Sequence, residues 1–477
     1  MPWTCEKRRR GREEGVAPMN RRDFVKLSGV AVAASMVPAR QMQASETVNP
    51  GSPATVREPA REVPVAESSD VVVCGGGPAG VAAALASARK GAKTLLLEQQ
   101  GCLGGIWTSG LLTWLLDCDN KKGLMAEISQ RLMALGARTL TAGGKPTNAY
   151  DVEAMKILLE TLCEEAGVQV RYHTRMAATV KAGGRLTHVI TESKSGREAV
   201  AGKVFIDATG DGDLGAGAGC GFDWGNPENG LVQPMSLIAL VAGVSASEIQ
   251  AFYNGIDDAQ SWAAPKDRLR AAMEAGGHSP SYAKPSLFRI RDDLFILMAN
   301  HEYGFKGTDS RDVTRATLHA RKELNALVDG LRGTGGVWKN LRLVATAEQI
   351  GVREGRRLHG LYTVSADDLR EGRRFDDAVC RASFPVDVHA LDPKKTKTIE
   401  SHPWRAKPYD IPLRALIAKD VKGLMFAGRC ISGDFIAHAS YRVTGNAVAM
   451  GEAAGKASAV AALGGRLPED VKIGELG

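Results

Sequence analysis

The sequence predicts an α/β protein: a Rossmann-like domain with a parallel sheet and a small antiparallel sheet, interrupted by an inserted α+β cap. Three observations favour this fold class. A strand, a Gly-rich turn, a helix and a second strand follow one another within residues 70–98. Two further apolar strands that end in Gly-rich turns occur near 203–213 and 423–430. The 477 residues include 54 glycines but only 5% aromatic residues, which suits an α/β fold with many tight turns better than an all-β sandwich.

The first of these units has the spacing of a dinucleotide-binding turn. The β-branched run at 70–74 predicts a buried parallel strand, and the Ala-rich run at 81–89 predicts a helix. Between them, Gly75 permits the tight turn, Gly77 lets a pyrophosphate approach the backbone, and Gly80 lets helix and strand pack closely. The unit therefore predicts a nucleotide site, although it does not by itself separate NAD from FAD.

Both ends of this unit carry further candidate ligands. The residues that open the helix, Pro78 and Ala79, place unpaired N–H groups and the positive end of the helix dipole at the phosphates. Glu98, which ends the second strand, is placed to bind a ribose through its two hydroxyls.

Three later segments favour FAD. A Gly-rich loop at 101–110, with Gly104 and Gly105, follows Glu98 and can wrap an extended dinucleotide. The strand at 203–207 ends in Ala-Thr-Gly, and the strand at 423–427 runs through a loop into a helix expected from about 445 to 462. The N-terminus of such a helix favours the negative charge that a flavin gains on reduction. The predicted cofactor-binding residues in these two later segments are Ala208, Thr209, Gly210, Gly428, Arg429, Gly445, Asn446 and Ala447.

At this point the sequence resembles the FAD-dependent oxidoreductases of the fumarate reductase/succinate dehydrogenase flavoprotein superfamily. More closely, it resembles a bacterial family of secreted FAD-dependent oxidoreductases. The resemblance extends from about residue 70 to 462, and it implies FAD, a glutathione-reductase-like FAD fold and an oxidoreductase activity. The segments that carry it are Leu103-Gly104-Gly105 with Thr108; Gln233-Pro234-Met235-Ser236; Gly351-Val352-Arg353-Glu354 with Arg356-Arg357; Ser383-Phe384-Pro385-Val386-Asp387-Val388-His389; and Ala427-Gly428-Arg429-Cys430-Ile431-Ser432.

The reacting side has two leading candidates, His438 and Arg442, four residues apart and just before Gly445-Asn446. In fumarate reductase-like flavoproteins a His and an Arg at this spacing bind a substrate carboxylate. Arginine offers a bidentate fork to a carboxylate, and histidine can donate or accept a proton. The alternative is that both side chains pair with nearby acids and hold the loop. The separate arginine that delivers a proton in fumarate reduction is not identifiable in this sequence.

Arg353 and His389 are the other candidates. Arg353 lies in a dense charged patch with Glu354, so a site-lining role and a salt-bridged helix face fit equally well. Asp387 and His389 alternate with valines, which predicts a strand with both side chains on one face, either as an acid–imidazole pair that abstracts a hydroxyl proton or as a structural pair. His301 is a lone histidine, and such residues are more often structural.

The predicted organisation has five segments. They are a twin-arginine export signal at 1–44, a Pro-bearing flexible linker at 45–67, the first half of the FAD domain at 68–230, the inserted substrate or cap domain at 231–340, and the second half of the FAD domain at 341–477. The signal is indicated by Arg21-Arg22-Asp23-Phe24-Val25-Lys26 and the apolar run that follows, and Met19 is an alternative start to Met1. An export signal predicts a periplasmic or extracellular protein that meets the twin-arginine machinery.

Charge and cysteine content exclude several classes. The net charge is +7, but nine basic and four acidic side chains lie in residues 1–44, which leaves about +2 for the rest. The body is therefore not a basic nucleic-acid binder. The eight cysteines include no Cys-x-x-Cys pair, so no metal or iron–sulfur site is predicted. No membrane span is expected in the mature chain.

Together these patterns predict an exported FAD enzyme that oxidises a small polar molecule, such as a hydroxy compound or carbohydrate derivative, by hydride transfer to flavin N5. His438 is the expected acid/base and Arg442 the expected anchor. A quinone, a carrier protein or oxygen would reoxidise the flavin. Two alternatives stay open: a fumarate reductase-like reductase of an activated double bond, and a flavin electron-transfer subunit without substrate chemistry of its own.

Overall fold

The computed structural model describes residues 58–256 and 261–477. The predicted export signal, and the linker up to residue 57, lie outside the described residues. The strands are β1 (Val65–Cys74), β2 (Thr94–Leu97), β3 (Arg138–Leu140), β4 (Pro146–Tyr150), β5 (Gln169–Arg171), β6 (Arg175–Ala182), β7 (Arg185–Ser193), β8 (Gly196–Asp207), β9 (Phe222–Asp223), β10 (Ile238–Ala242), β11 (Ser286–Arg289), β12 (Leu294–Met298), β13 (Arg342–Thr346), β14 (Arg357–Leu358), β15 (Ala378–Ala382), β16 (Tyr409–Pro412) and β17 (Leu424–Phe426).

The helices alternate with these strands. They are α1 (Pro78–Arg89), α2 (Gly123–Ala134), α3 (Val152–Ala166), α4 (Asp213–Gly217), α5 (Ala264–Ala275), α6 (Ser310–Gly333), α7 (Ala366–Glu371), α8 (Phe435–Tyr441) and α9 (Thr444–Leu463). Within the described part of the chain, no helix is both long enough and apolar enough to cross a bilayer.

The main sheet confirms the predicted fold class. Its order is β5-β2-β1-β8-β7-β6, and β17 also pairs with β8. β5, β2, β1, β8 and β17 are parallel to their neighbours, whereas the β6–β7 hairpin joins β8 antiparallel. The carboxyl ends of β1, β8 and β17 lie in register, Cys74 beside Asp207 and Asp207 beside Phe426. The three Gly-rich turns therefore leave the sheet at one edge, which is where α/β sheets bind ligands.

Two helices pack against this sheet at close range. α9 is buried on nearly all sides, as expected of a core helix rather than an amphipathic surface helix. It crosses α1 so closely that a Cβ atom at Gly451 would lie 2.1 Å from the carbonyl oxygen of Ala79, and one at Gly455 would lie 2.1 Å from that of Ala83. Glycine at these positions thus sets how close the two helices can come.

The cap has its own sheet and core. Its antiparallel sheet has the order β11-β12-β10-β13 and packs with α5 and α6 around a separate hydrophobic cluster. The α6 helix begins at Ser310, and its N-cap Asp309 accepts hydrogen bonds from the backbone N–H groups of Arg311 and Asp312.

Three local expectations differ from the structure. β1 begins at Val65, inside the segment 45–67 predicted to be flexible, because residues from Val65 pair with β8. The cap sheet extends past the predicted boundary at 340, since β13 completes it beside β10. The segment that holds Asp387 and His389 is extended but is not a regular strand, and His389 forms only an isolated bridge with Ile399.

Candidate active site

A cavity of about 880 Å³ runs from the edge of the main sheet to the cap. Its lining includes most of the predicted cofactor-binding residues at one end and residues of the cap at the other. The predicted residues that line it are Gly75, Gly77, Pro78, Ala79, Glu98, Gly105, Ala208, Thr209, Gly210, Gly428, Arg429 and Ala447. A cavity of this volume is in the range of cofactor sites in proteins.

The first turn of α1 faces this cavity without a side-chain cap. Gly77 is its N-cap residue, and no side chain bonds to the N–H groups that the first turn leaves unpaired. A Cβ atom at Gly77 would meet no protein heavy atom within 4 Å, so the packing of the protein does not itself require glycine there. The turn is shaped for a phosphate group held against the backbone.

Glu98 lies at the same end and is buried. Its Oε2 accepts a hydrogen bond of 2.6 Å from the Gly76 N–H, and its Oε1 accepts one of 2.7 Å from the Gln100 N–H. Burial raises the pKa of this carboxyl, and the backbone donors partly oppose that rise. Each oxygen has a further lone pair, so the carboxylate can still accept the two hydroxyls of a ribose.

The first turn of α9, predicted from sequence to face the flavin, forms another part of the cavity wall. Thr444 and Ala447 line the cavity. Within the part of the chain that the structure describes, no side chain caps the helix, and the buried Thr444 Oγ1 has no hydrogen-bond partner. The Arg429 guanidinium also lines the cavity; it bonds Asp211 through Nη2 at 2.7 Å, while its buried Nε has no partner. These unpaired polar groups fit FAD, whose phosphates and ring edge can accept hydrogen bonds.

Four predicted cofactor residues support the cavity from behind instead of lining it. Gly80 packs α1 on the turn before it, and Gly104 donates its N–H to the Gly76 carbonyl at 2.8 Å. Gly445 donates its N–H to the Leu116 carbonyl at 2.9 Å, and Asn446 is fully buried with its Oδ1 3.6 Å from the Cys380 thiol. The structure therefore gives these residues packing positions behind the cavity wall.

At the cap end, four side chains form a hydrogen-bonded chain. The Tyr303 hydroxyl lies 3.1 Å from His301 Nδ1, and His301 Nε2 lies 3.0 Å from His389 Nδ1. His389 Nε2 in turn lies 3.3 Å from Asp387 Oδ2. If Tyr303 donates to His301, both imidazoles are satisfied as neutral rings and His389 donates to Asp387. Asp387 and His389 line the cavity, so the chain ends at its surface.

Burial and the neighbouring charges decide which of these four hydrogen-bonded side chains are protonated. Burial, and after it the Arg353 guanidinium, lowers the pKa of His389 to about 4. Burial also lowers the pKa of His301 far below the usual range. Burial opposes ionisation of Asp387, but His389, Arg442 and Arg353 together hold the pKa of that carboxyl low. At neutral pH the site therefore presents an ionised carboxylate beside a neutral imidazole, a pair able to accept a proton.

The two predicted arginines have different partners. Arg442 Nη2 donates to the Asp387 carbonyl at 2.8 Å and to Asp387 Oδ2 at 3.0 Å, so Arg442 holds the carboxylate. Arg353 Nη1 donates to the Pro234 carbonyl and to Ser236 Oγ, and within the described residues it forms no salt bridge. Burial, and then the charge of Arg442, lowers the Arg353 pKa to about 10. Arg353 is thus a cation in the cavity wall whose charge has no paired acid.

The rest of the charged patch at 353–357 is structural in part. Glu354 Oε1 accepts a hydrogen bond of 2.8 Å from Arg357 Nη1, and both side chains are buried. Arg356 lines the cavity and pairs with Asp213. The sequence was compatible with residues that line the site and with a structural salt bridge, and the patch contains both. Arg353 and Arg356 line the cavity, whereas Glu354 and Arg357 form an internal ion pair.

His438, the leading candidate from sequence, is not among the residues that line the cavity. It is completely buried in the short helix α8, and neither ring nitrogen is hydrogen-bonded to any described residue. Its ring packs edge-on against Tyr441, with ring centres 5.5 Å apart. Burial, and then the guanidinium groups of Arg357, Arg442 and Arg429, lowers its pKa well below the usual range. The structure therefore brings His389, but not His438, to the cavity.

Replacing His438 with leucine is expected to change the pH dependence of stability while flavin stays bound. The native ring is neutral, whereas in the unfolded chain a histidine is protonated below about pH 6.5. Because only the unfolded state takes up this proton, the free energy of unfolding of the wild type decreases as the pH is lowered below about 6.5. The decrease is about 1.4 kcal/mol per pH unit for one histidine. His438→Leu lacks this proton uptake. Relative to the wild type, its free energy of unfolding should therefore rise by about 1.4 kcal/mol for each pH unit below about 6.5.

Urea unfolding at pH 7.5 and 5.5 measures this difference. The exposed His278, replaced by leucine, is the matched control and should show none. An equal difference between His438→Leu and wild type at both pH values would mean that His438 is not buried as a neutral ring.

Sequence reasoning missed several residues that line or support the cavity. His301, expected to be a lone structural histidine, is hydrogen-bonded to His389. Lys266 was not a candidate; its ammonium lies 4.1 Å from the centre of the Trp262 ring. Spacing in the chain gave no signal for either residue. The other lining residues that were missed include Thr174, Arg175, Met176, Ala177, Trp114, Tyr282 and Phe288.

Comparisons with known proteins add the following. A family model described as FAD dependent oxidoreductase matches residues 70–477. No curated protein matches the sequence significantly. Similar solved structures include a geranylgeranyl bacteriochlorophyll reductase-like protein from Thermoplasma acidophilum, 15% identical over 86% of this chain and 80% of that chain, with a TM-score of 0.43.

Two halogenases are similar at the same level. A flavin-dependent brominase is 12% identical over 83% of this chain and 80% of its own, with a TM-score of 0.46. A myxobacterial chondrochloren halogenase is 13% identical over 86% and 77%, with a TM-score of 0.44. None of these similarities bears on the substrate of this chain.

Proposed function

This chain belongs to the FAD dependent oxidoreductase family, and we propose that it oxidises a small anionic hydroxy compound by hydride transfer to bound FAD. The observation that carries the proposal is the continuity of the cavity. The same cavity is lined by Gly77 and Glu98 at one end and by Asp387, His389 and Arg353 at the other. A cofactor held at the first end and a substrate held at the second would therefore share one continuous space.

Residues at one end of the cavity bind the cofactor, and residues at the other end act on the substrate. Bound FAD supplies hydride acceptance and, afterwards, electron transfer to an acceptor. The Gly77 turn and Glu98 hold the nucleotide, and the first turn of α9 holds the ring. At the cap end, Asp387 Oδ2 is engaged by Arg442 and His389. The Asp387–His389 pair can accept the proton of a substrate hydroxyl as the neighbouring C–H bond loses its hydride, which balances the charge of the oxidation.

Two cations support an anionic substrate. Arg353 and Lys266 both line the cavity, and neither forms a salt bridge within the described residues. Lys266 is only 6% exposed, and burial lowers its pKa to about 8. Buried charges are normally paired, and a carboxylate on the substrate would pair either of these.

Aromatic side chains supply the other wall. Trp114 stacks on Phe288 with ring centres 4.3 Å apart, and Trp262, which is 52% exposed, lies 5.7 Å from Trp114. All three line the cavity. A ring with one apolar face and a carboxylate, as in a sugar acid, matches this combination of aromatic wall and cations.

The proposal also covers the location of the protein, its superfamily and its electron acceptor. The twin-arginine sequence at 21–26 supports export to the periplasm or cell exterior, and the motif resemblance supports descent within the fumarate reductase/succinate dehydrogenase flavoprotein superfamily. A quinone, a carrier protein or oxygen would reoxidise the flavin.

An anaerobic absorbance screen of the purified protein tests the proposal. Hydroxy acids and sugar acids should bleach the flavin band, and neutral alcohols of the same size should bleach it more slowly. Arg353→Met should keep the flavin and lose the preference for the acid, since it removes an unpaired cation. Bleaching by no hydroxy compound, with reoxidation of reduced enzyme by fumarate, would instead identify a double-bond reductase. A flavin that only a partner protein reduces would identify an electron-transfer subunit.

A further inference from the structure

Outside the FAD cavity, three side chains of the cap converge on one point. They are Glu302, His319 and Glu323, and each offers one ligand atom within 4.8 Å of the atoms of the other two. His319 and Glu323 are four residues apart on α6, so they lie on the same face of the helix one turn apart. Glu302 comes from the segment that bridges Met235. None of the three lines the FAD cavity.

Glu302 carries the unusual feature of this cluster. The side chain is 2% exposed, and its Oε2 lies 2.7 Å from His319 Nδ1. Its Oε1 is buried and has no hydrogen-bond partner among the described residues. Buried carboxylate oxygens are nearly always paired, and an exception indicates a missing water or ion. A single histidine contact on the other oxygen leaves the carboxylate half satisfied.

The other two side chains are positioned for the same ion. Glu323 accepts hydrogen bonds from the Ser281 backbone N–H at 2.6 Å and from Ser281 Oγ at 2.8 Å, which orient its carboxylate and leave further lone pairs. Such hydrogen bonds are the usual support of a ligating carboxylate. His319 is 68% exposed, so an ion can reach the cluster from solvent.

We propose that Glu302, His319 and Glu323 bind a divalent transition-metal ion of the Zn²⁺ class. Imidazole nitrogen and carboxylate oxygen are both zinc ligands, and three protein ligands leave a fourth position for water. The nitrogen ligand favours such an ion over Mg²⁺ or Ca²⁺, which prefer oxygen alone. Zinc–ligand distances of about 2.0–2.2 Å put ligand atoms about 3.5 Å from one another. On binding, the 2.7 Å contact between His319 Nδ1 and Glu302 Oε2 would therefore open, and any ligand atoms farther apart than about 3.5 Å would draw together.

The bound ion would tie α6 to the segment that carries His301. His301 is the neighbour of Glu302 in sequence and the hydrogen-bond partner of His389. An ion that binds the folded cap and not the unfolded chain stabilises the fold by mass action. The proposal does not depend on the oxidoreductase reaction, because the cluster lies outside the cavity.

Calorimetric titration of untagged, full-length, chelator-treated holoenzyme with ZnCl₂ tests this site. We expect one ion per chain and a higher melting temperature with zinc than without it. His319→Ala and Glu302→Gln should each weaken zinc binding by at least about tenfold and remove the rise in melting temperature. His278→Ala, which changes an exposed histidine outside the cluster, should bind like the wild type.

Zinc binding by the wild type, compared with binding by the variants, decides whether the proposal stands. Undiminished binding in both His319→Ala and Glu302→Gln, or a wild type that binds neither Zn²⁺ nor Co²⁺, would overturn the proposal. The flavin spectrum of each variant reports whether the fold is intact. If Glu302→Gln loses flavin, Glu323→Gln replaces it, since Glu323 is less buried.

Discussion

Replacing Gly77 with valine is expected to yield a folded protein that no longer retains FAD. A Cβ atom at this position would meet no protein heavy atom within 4 Å beyond its chain neighbours, and the backbone φ of −70° suits any L-residue. The fold therefore tolerates the substitution, whereas a phosphate held against the turn does not. Overpacking of about 1–3 kcal/mol corresponds to a loss of affinity of about fivefold to 150-fold. Flavin absorbance per chain, with and without added FAD, measures the loss, and circular dichroism reports the fold.

Gly80→Ala is the contrasting variant. Its Cβ atom would lie 1.7 Å from the Gly75 carbonyl oxygen, which is backbone and cannot move aside without shifting β1 or α1. We expect this smaller substitution to destabilise the protein by about 3 kcal/mol or more, and thus to lower the yield of soluble protein. Stoichiometric FAD in Gly77→Val would contradict the placement of the phosphates, and a Gly80→Ala protein as stable as wild type would contradict the close packing of α1.

The fold was predictable where the signal is local. The run at 70–74, the glycines at 75, 77 and 80 and the Ala-rich helix are contiguous, so their spacing alone identified the unit. The missed portions depend on distant partners. Residues 65–69 include Glu67 and two serines and look like linker, but pairing with β8 makes them strand. β13 belongs to the cap because it pairs with β10, about a hundred residues earlier in the chain.

The cofactor end of the site was predictable for the same reason, and the cap end was not. Gly-rich turns at the carboxyl ends of parallel strands lie at the same edge of the sheet, independently of the length or conformation of the connecting loops. A side chain on a short helix has no such constraint: His438 and Arg442 share α8 and its C-cap, yet only Arg442 lines the cavity. His301 and His389 are 88 residues apart, so their contact leaves no mark in the spacing of either segment.

His389→Asn is expected to lower kcat by about 10²–10⁴-fold while FAD remains bound, the usual range for loss of a positioned acid or base. The imidazole links Asp387 at the cavity surface to the buried His301, and it is neutral at working pH because burial lowers its pKa to about 4. Asparagine can keep one of the two hydrogen bonds but cannot carry a proton. Turnover with the acid that bleaches the flavin, together with the flavin content, measures the two effects separately.

The pH profile distinguishes proton transfer from mere support. A base acts only when it is unprotonated, so wild-type kcat/KM should stay constant from about pH 7 down to about pH 5 and fall below that, as His389 gains its proton. His389→Asn should lose this acid limb along with its activity. His359→Ala, which changes a partly exposed histidine that lies beside Asp223 and does not line the cavity, should keep both. Full activity in His389→Asn with none in His438→Leu would instead assign proton transfer to α8, and it would require α8 to move before His438 could reach the substrate.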